Sequence, residues 1–128
     1  AAIIGLSDDK VEEICDEAFS RRSALKIIKL PESLQKIGER AFKNCTSLKR
    51  IDIPNNVKEI GNFAFSKCSN LESVKLPESL KTISNGAFSE CPKLTSVYIP
   101  SGVTVIGPDA FYGCPNLTRI DVSLDNKN

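Results

Sequence analysis

The pair Ala-Phe returns every 23 residues along this chain, at Ala18-Phe19, Ala41-Phe42, Ala64-Phe65, Ala87-Phe88 and Ala110-Phe111. Three residues after each phenylalanine stands a cysteine (Cys45, Cys68, Cys91, Cys114), except in the first copy, where Arg22 takes the place. Three further on is always a leucine: Leu25, Leu48, Leu71, Leu94 and Leu117. A fixed period of this size is the signature of a solenoid, in which each coil leaves an apolar face that only its neighbours can cover. The chain is therefore read as one array spanning 1–128, with repeat cores near 11–30, 34–53, 57–76, 80–99 and 103–122.

Each repeat carries two apolar segments. The first is Leu25-Lys26-Ile27-Ile28-Lys29-Leu30-Pro31, echoed at residues 48–54, 71–77 and 94–100. Ile28 and Leu30 alternate with Lys29, a period of two that predicts a short strand. Pro31, Pro54, Pro77 and Pro100 then end it, because proline cannot donate to a ladder. The second segment, Leu34-Gln35-Lys36-Ile37, is a less regular extended piece. Gly38, Gly61, Ser84 and Gly107 follow it, with Pro108 at a position suited to the start of a helix. This predicts the Ala-Phe pair on a short helical or 3₁₀ turn, stopped in two repeats by Pro92 and Pro115. The inward set for one cycle is Leu34, Ile37, Ala41, Phe42, Cys45, Leu48, Ile51 and Ile53. Stacked in register, equivalent strands make a parallel sheet on one face with right-handed crossovers. At the front, Ser7-Asp8-Asp9-Lys10 replaces the proline turn as an incomplete polar cap. At the back no dedicated cap is visible, which suggests a fragment of a longer array or an end that self-associates with another copy.

The repeat pattern Ile60-Gly61-x-x-Ala64-Phe65-x-x-Cys68-x-x-Leu71-x-x-Val74-x-Leu76-Pro77-x-x-Leu80 closely resembles the BspA-like leucine-rich repeats, over roughly residues 11–122. That family occurs mainly in bacterial surface proteins and in some protist ones. The resemblance implies a curved leucine-rich-repeat solenoid of about five coils, α/β or mainly β. It also implies part of a longer exported protein that binds other proteins, such as host matrix components, at the cell surface or outside the cell. Arg22 departs from the pattern.

Composition narrows the chemistry. A net charge of +1 gives no basic excess for nucleic acid or an anionic membrane surface, and no apolar run approaches the length of a membrane span. Ala1 to Leu6 is too short for a signal-peptide core, so any export signal is expected outside this chain. Histidine is absent, which removes the commonest general base and zinc ligand. The cysteines stand one per repeat, without the close pairs that zinc requires, and read as buried free thiols. Cys15, at a turn position, is the reactive candidate. The five phenylalanines of the Ala-Phe pairs read as a packed spine, with Phe63 outside it and partly exposed. The acidic group Glu12, Glu13, Asp16 and Glu17 reads as a solvated face. The glycosylation patterns at Asn44 and Asn116 adjoin core positions and are discounted. No catalytic residues, cofactor or metal are expected.

The remaining surface is the outward side of the strands. Alternation places Ile27, Arg50, Ser73, Ser96 and Arg119 in one outward column and Lys29, Asp52, Lys75, Tyr98 and Asp121 in another. The signs of Lys29, Asp52 and Lys75 alternate, which suits cross-strand ion pairing. These ten residues are the candidate protein-binding face of a non-enzymatic interaction module. The alternative is a structural spacer with no ligand of its own.

Overall fold

The computed structural model describes the backbone of residues 3–5 and the chain from 10 to 123. The polar front turn expected over Ser7-Asp8-Asp9 lies outside the described residues, as does the tail beyond Ser123. The coils stack as the period demands. The first apolar segments give strands β1 (Ile3–Gly5), β3 (Ile27–Lys29), β5 (Arg50–Asp52), β7 (Ser73–Lys75), β9 (Ser96–Ile99) and β11 (Arg119–Val122). The second segments give β2 (Glu13–Ile14), β4 (Lys36–Ile37), β6 (Glu59–Ile60), β8 (Thr82–Ile83) and β10 (Val105–Ile106). All pairing is parallel, and Ile14, Ile37, Ile60, Ile83 and Ile106 align in one row.

The continuous sheet is built from the second segments, contrary to expectation: β2, β4, β6, β8 and β10 form one five-stranded ladder. The first-segment strands pair only two by two, β1 with β3, β5 with β7 and β9 with β11. The front strand β1 adds a coil that the Ala-Phe period does not reveal. Its Ile4 aligns with Ile28, 24 residues on, whereas Ile14 aligns with Ile37, 23 residues on. One extra residue between them shifts β1 out of the common register.

Helices are absent among the described residues, so the expected helical or 3₁₀ turn is corrected to a run of separate turns. The reason lies in the backbone. Arg40 and Asn44 have φ of 56° and 63°, and equivalent left-handed residues recur in each repeat at Glu17 and Arg21, Phe63 and Lys67, Gly86 and Glu90, and Asp109 and Gly113. Such residues break a helical hydrogen-bond ladder. They also turn alternate N–H groups across the stack. Arg40, Phe42 and Asn44 donate to the carbonyls of Asn62, Ala64 and Ser66 one coil on, while Ala41, Lys43 and Cys45 donate back three residues within their own coil. A helix would send every N–H along its own axis and leave the coils joined by side chains alone.

The core occupies the interior of the coils. Leu34, Ile37, Ala41, Phe42, Cys45, Leu48, Ile51 and Ile53 are all buried, and the equivalent residues of the next coil are buried too, except half-buried Val74. The phenylalanine spine is a continuous stack from Phe19 to Phe111, with ring centroids 5.0–5.8 Å apart and planes within 8° of parallel. Those separations fall in the favourable range for aromatic pairs. Phe63 is half-buried outside this column, its ring beneath the Arg40 guanidinium at 5.6 Å. It also fills the space beside Gly86, where an added Cβ would collide with Cε1 and Cδ1 of the ring.

Candidate protein-binding face

The corner of each coil holds the cysteines, and its geometry gives them a structural task. Cys45, Cys68, Cys91 and Cys114 are free thiols, each donating a hydrogen bond of 3.1–3.2 Å to the phenylalanine carbonyl of the preceding coil. For Phe42 and Phe65 that carbonyl is Phe42 O and Phe65 O, and Phe42 O also takes the Cys45 N–H, so both its lone pairs are engaged. Burial pushes the Cys45 thiol up to about 11, partly offset by Arg22, and burial likewise raises Cys68. Half-buried Cys114 behaves in the opposite way. The neighbouring Cys91 thiol holds it down to about 7, while that pairing and burial raise Cys91. Cys15 is exposed at its turn. Among the described residues no group of three or more His, Cys, Asp or Glu side chains could hold a metal. The Asn116 amide donates to Pro92 O, and Asn44 is half-buried in a left-handed turn, so neither glycosylation pattern presents a free asparagine loop.

The opposite side carries the strand face. Ile27, Lys29, Arg50, Asp52, Ser73, Lys75, Ser96, Tyr98 and Arg119 are exposed on β3, β5, β7, β9 and β11, and Asp121 is half-buried. Ile27 and Tyr98 are 56% and 46% exposed, high for large side chains with an apolar body. The expected cross-strand ion pairing is corrected: the charges pair along their own strands. Arg50 reaches Asp52 at 3.3 Å and Arg119 reaches Asp121 at 2.9 Å, each two residues on, which places both side chains on one side of the same strand. Pairs this exposed contribute about 0–1 kcal/mol. Lys29 and Lys75 make no ion pair among the described residues.

The face divides into two halves. No backbone ladder joins β3 to β5, and over that opened junction lies a groove of about 880 Å³. Lys26, Ile27, Lys29, Lys49, Arg50 and Lys75 line it, against only two carboxylates, Glu32 and Asp52. Beyond β7 the outward residues are nearly uncharged: Thr95, Ser96, Tyr98 and Thr118, then the Arg119–Asp121 pair. Lys26 and Lys49 were missed from the sequence because they precede the alternating strand positions. Their separation of one period was the available signal. The last coil also exposes apolar groups, Val105, Ile106, Ile120 and Val122, at 49–54%.

Comparison with known proteins follows the same lines. The model of the BspA type leucine-rich repeat region matches residues 4–122 in six copies, the front strand included. Among solved structures, the chain is similar to the leucine-rich repeat protein TpLRR of T. pallidum at 31% identity, with a TM-score of 0.89, covering 94% of this chain and 69% of that one. It is similar to a leucine-rich cell surface protein of Faecalibacterium prausnitzii at 34% identity and a TM-score of 0.86, covering 98% of this chain and 33% of that one. The pneumococcal vaccine antigen PcpA matches at 28% identity and a TM-score of 0.90, with 98% of this chain aligned to 31% of that one. The chain thus spans about a third of the last two proteins. No curated protein sequence matches it.

Proposed function

The chain belongs to the BspA-type leucine-rich repeat family, and from that premise we propose that it is a non-enzymatic protein-interaction module displayed at a cell surface or outside the cell. The observation that carries this reading is the contrast between columns. Inward positions keep the same or a similar apolar residue from coil to coil, while outward positions change in size, polarity and charge, from Ile27 to Arg50, Ser73, Ser96 and Arg119. A side chain that the fold does not dictate is free to serve recognition, and arginine and tyrosine are the types that dominate binding energy when an interface buries them. The stacked interior keeps that face rigid, which lowers the ordering cost of association. No helix among the described residues is long and apolar enough to cross a membrane. The description of the F. prausnitzii relative as a cell surface protein supports the location. The apolar flank of the last coil would take one more coil or a second copy, by the same stacking that joins the others.

The test is capture of purified matrix proteins by the immobilised chain, compared with a variant carrying Tyr98→Ala and Arg119→Gln. Weaker capture at an unchanged melting temperature is the expected result. Equal capture by the variant, or none by the native chain, would leave a spacer that holds other domains away from a surface.

A further inference from the structure

The strand face is not uniform, and its groove has a chemistry that selects among protein partners. Five cations line the groove that runs from β3 across β5 to β7, with two carboxylates among them, in a chain whose total charge is only +1. Among the described residues, Arg50 alone of these cations is held by a carboxylate, its own Asp52. Lys29 and Lys75 flank Asp52 from the strands on either side, and Lys75 stands in register opposite it. Both lysines line the one groove, so a single bound segment can meet both. The groove floor is apolar: Ile28, Leu30 and Ile53 line it from the core, and half-exposed Ile27 projects into it.

We propose that this groove receives an extended acidic segment of a partner protein, with carboxylates meeting Lys29 and Lys75 and an aliphatic side chain seated on Ile27. The proposal deepens the interaction-module reading and rests on it. Charge complementarity selects the acid. Two features select a peptide over a sulfated glycan. An apolar floor gives a sugar polyanion nothing to bury, and Asp52 and Glu32 repel an unbroken run of negative charge, whereas a peptide can place neutral residues opposite them. The groove runs over the unpaired β3–β5 junction and reaches Asn70 and Lys75 of the next coil.

The experiment uses the full chain and a fluorescein-labelled peptide in which glutamates flank a single leucine between Gly-Ser arms. Saturable anisotropy binding that weakens as salt rises is expected. Lys29→Ser with Lys75→Ser should weaken it at least tenfold, and Ile27→Ser several-fold, whereas Tyr98→Ala should leave it within twofold. Serine already stands on this face at Ser73 and Ser96, so the substitutions suit the fold, and an unchanged melting temperature confirms that they do. No peptide binding, or binding that the lysine and isoleucine variants leave intact, overturns the proposal. So does heparin binding more tightly than the peptide with no response to Ile27→Ser, since that marks a general polyanion site. Concentration-dependent self-association abolished by Glu12→Gln with Glu13→Gln would assign the groove to a second copy and equally overturn it. Failure here leaves capture through Tyr98 and Arg119 as a separate measurement, so the broader reading stands or falls by its own test.

Discussion

The corner of each coil and the outward strand face are built from the same repeat, yet they obey opposite rules. At the corner, alanine, phenylalanine and a thiol recur from Ala41 to Cys114 with their backbone and thiol hydrogen bonds aligned across the stack. On the face, each coil offers a different side chain, mostly exposed and tied at most to a neighbour on its own strand. The corner is repetitive because each residue is its neighbour's partner, so a change in one coil is felt in two. The face has no such constraint. Stability and recognition are therefore separable in this molecule, and substitutions should sort by side.

The largest effect is expected at the middle of the spine. Phe65→Ala removes a fully buried ring stacked on both faces and should cost about 3–5 kcal/mol in urea unfolding. A loss as small as a surface substitution would erase the distinction between the two sides. Gly86→Ala comes next, at about 2 kcal/mol, because φ is 64° and the new Cβ would meet the Phe63 ring. In a Phe63→Ala background only the left-handed strain remains, and the cost should drop to about 1 kcal/mol. A double-mutant cycle measures the difference.

The buried thiols make the corner sensitive to alkali. Cys45 ionises near its ordinary value of 9.0 when unfolded but only at about 11 when folded. The unfolded chain therefore loses its proton first, and stability, complete below pH 9, declines as the pH rises toward 11. One pH unit above the unfolded value this single thiol should account for about 1 kcal/mol, and Cys45→Ala should lessen the slope of that part of the pH profile. Smaller again is a contrast within one column. Asn62 Oδ1 accepts the Asn85 N–H at 3.1 Å, but buried Asn85 Oδ1 has no partner, because the next residue in the column is Pro108, which has no N–H. Asn62→Ala should cost about 1 kcal/mol, whereas Asn85→Ala should be neutral or slightly stabilising by thermal melting.

Much of this architecture was legible because a repeat states its register many times. The inward set, the spine, the free thiols and the outward columns all follow from alternation and the 23-residue period. What escaped was set by backbone direction, not side-chain pattern. Arg40, Phe63 and Asp109 do not announce left-handed conformations, so the turns looked helical. Ile4 belongs to a coil displaced by one residue, which hides it from a search at fixed period. The groove depends on alternate junctions between first-segment strands lacking a ladder, and β3 and β7 are followed by unpaired neighbours although their sequences alternate like the rest. Arg50 and Asp52 were assigned to columns correctly, but their pairing along the strand depends on side-chain reach that periodicity does not encode.

The separation of the two sides is tested most directly by replacing the face alone. The variant Lys29→Ser, Lys75→Ser, Tyr98→Ser should unfold within about 1 kcal/mol of the native chain, the span of strand preferences on a solvated surface. In the same preparation, capture of purified matrix proteins and of the acidic peptide should be lost. A loss of stability comparable to Phe65→Ala, or capture that survives all three changes, would contradict the account.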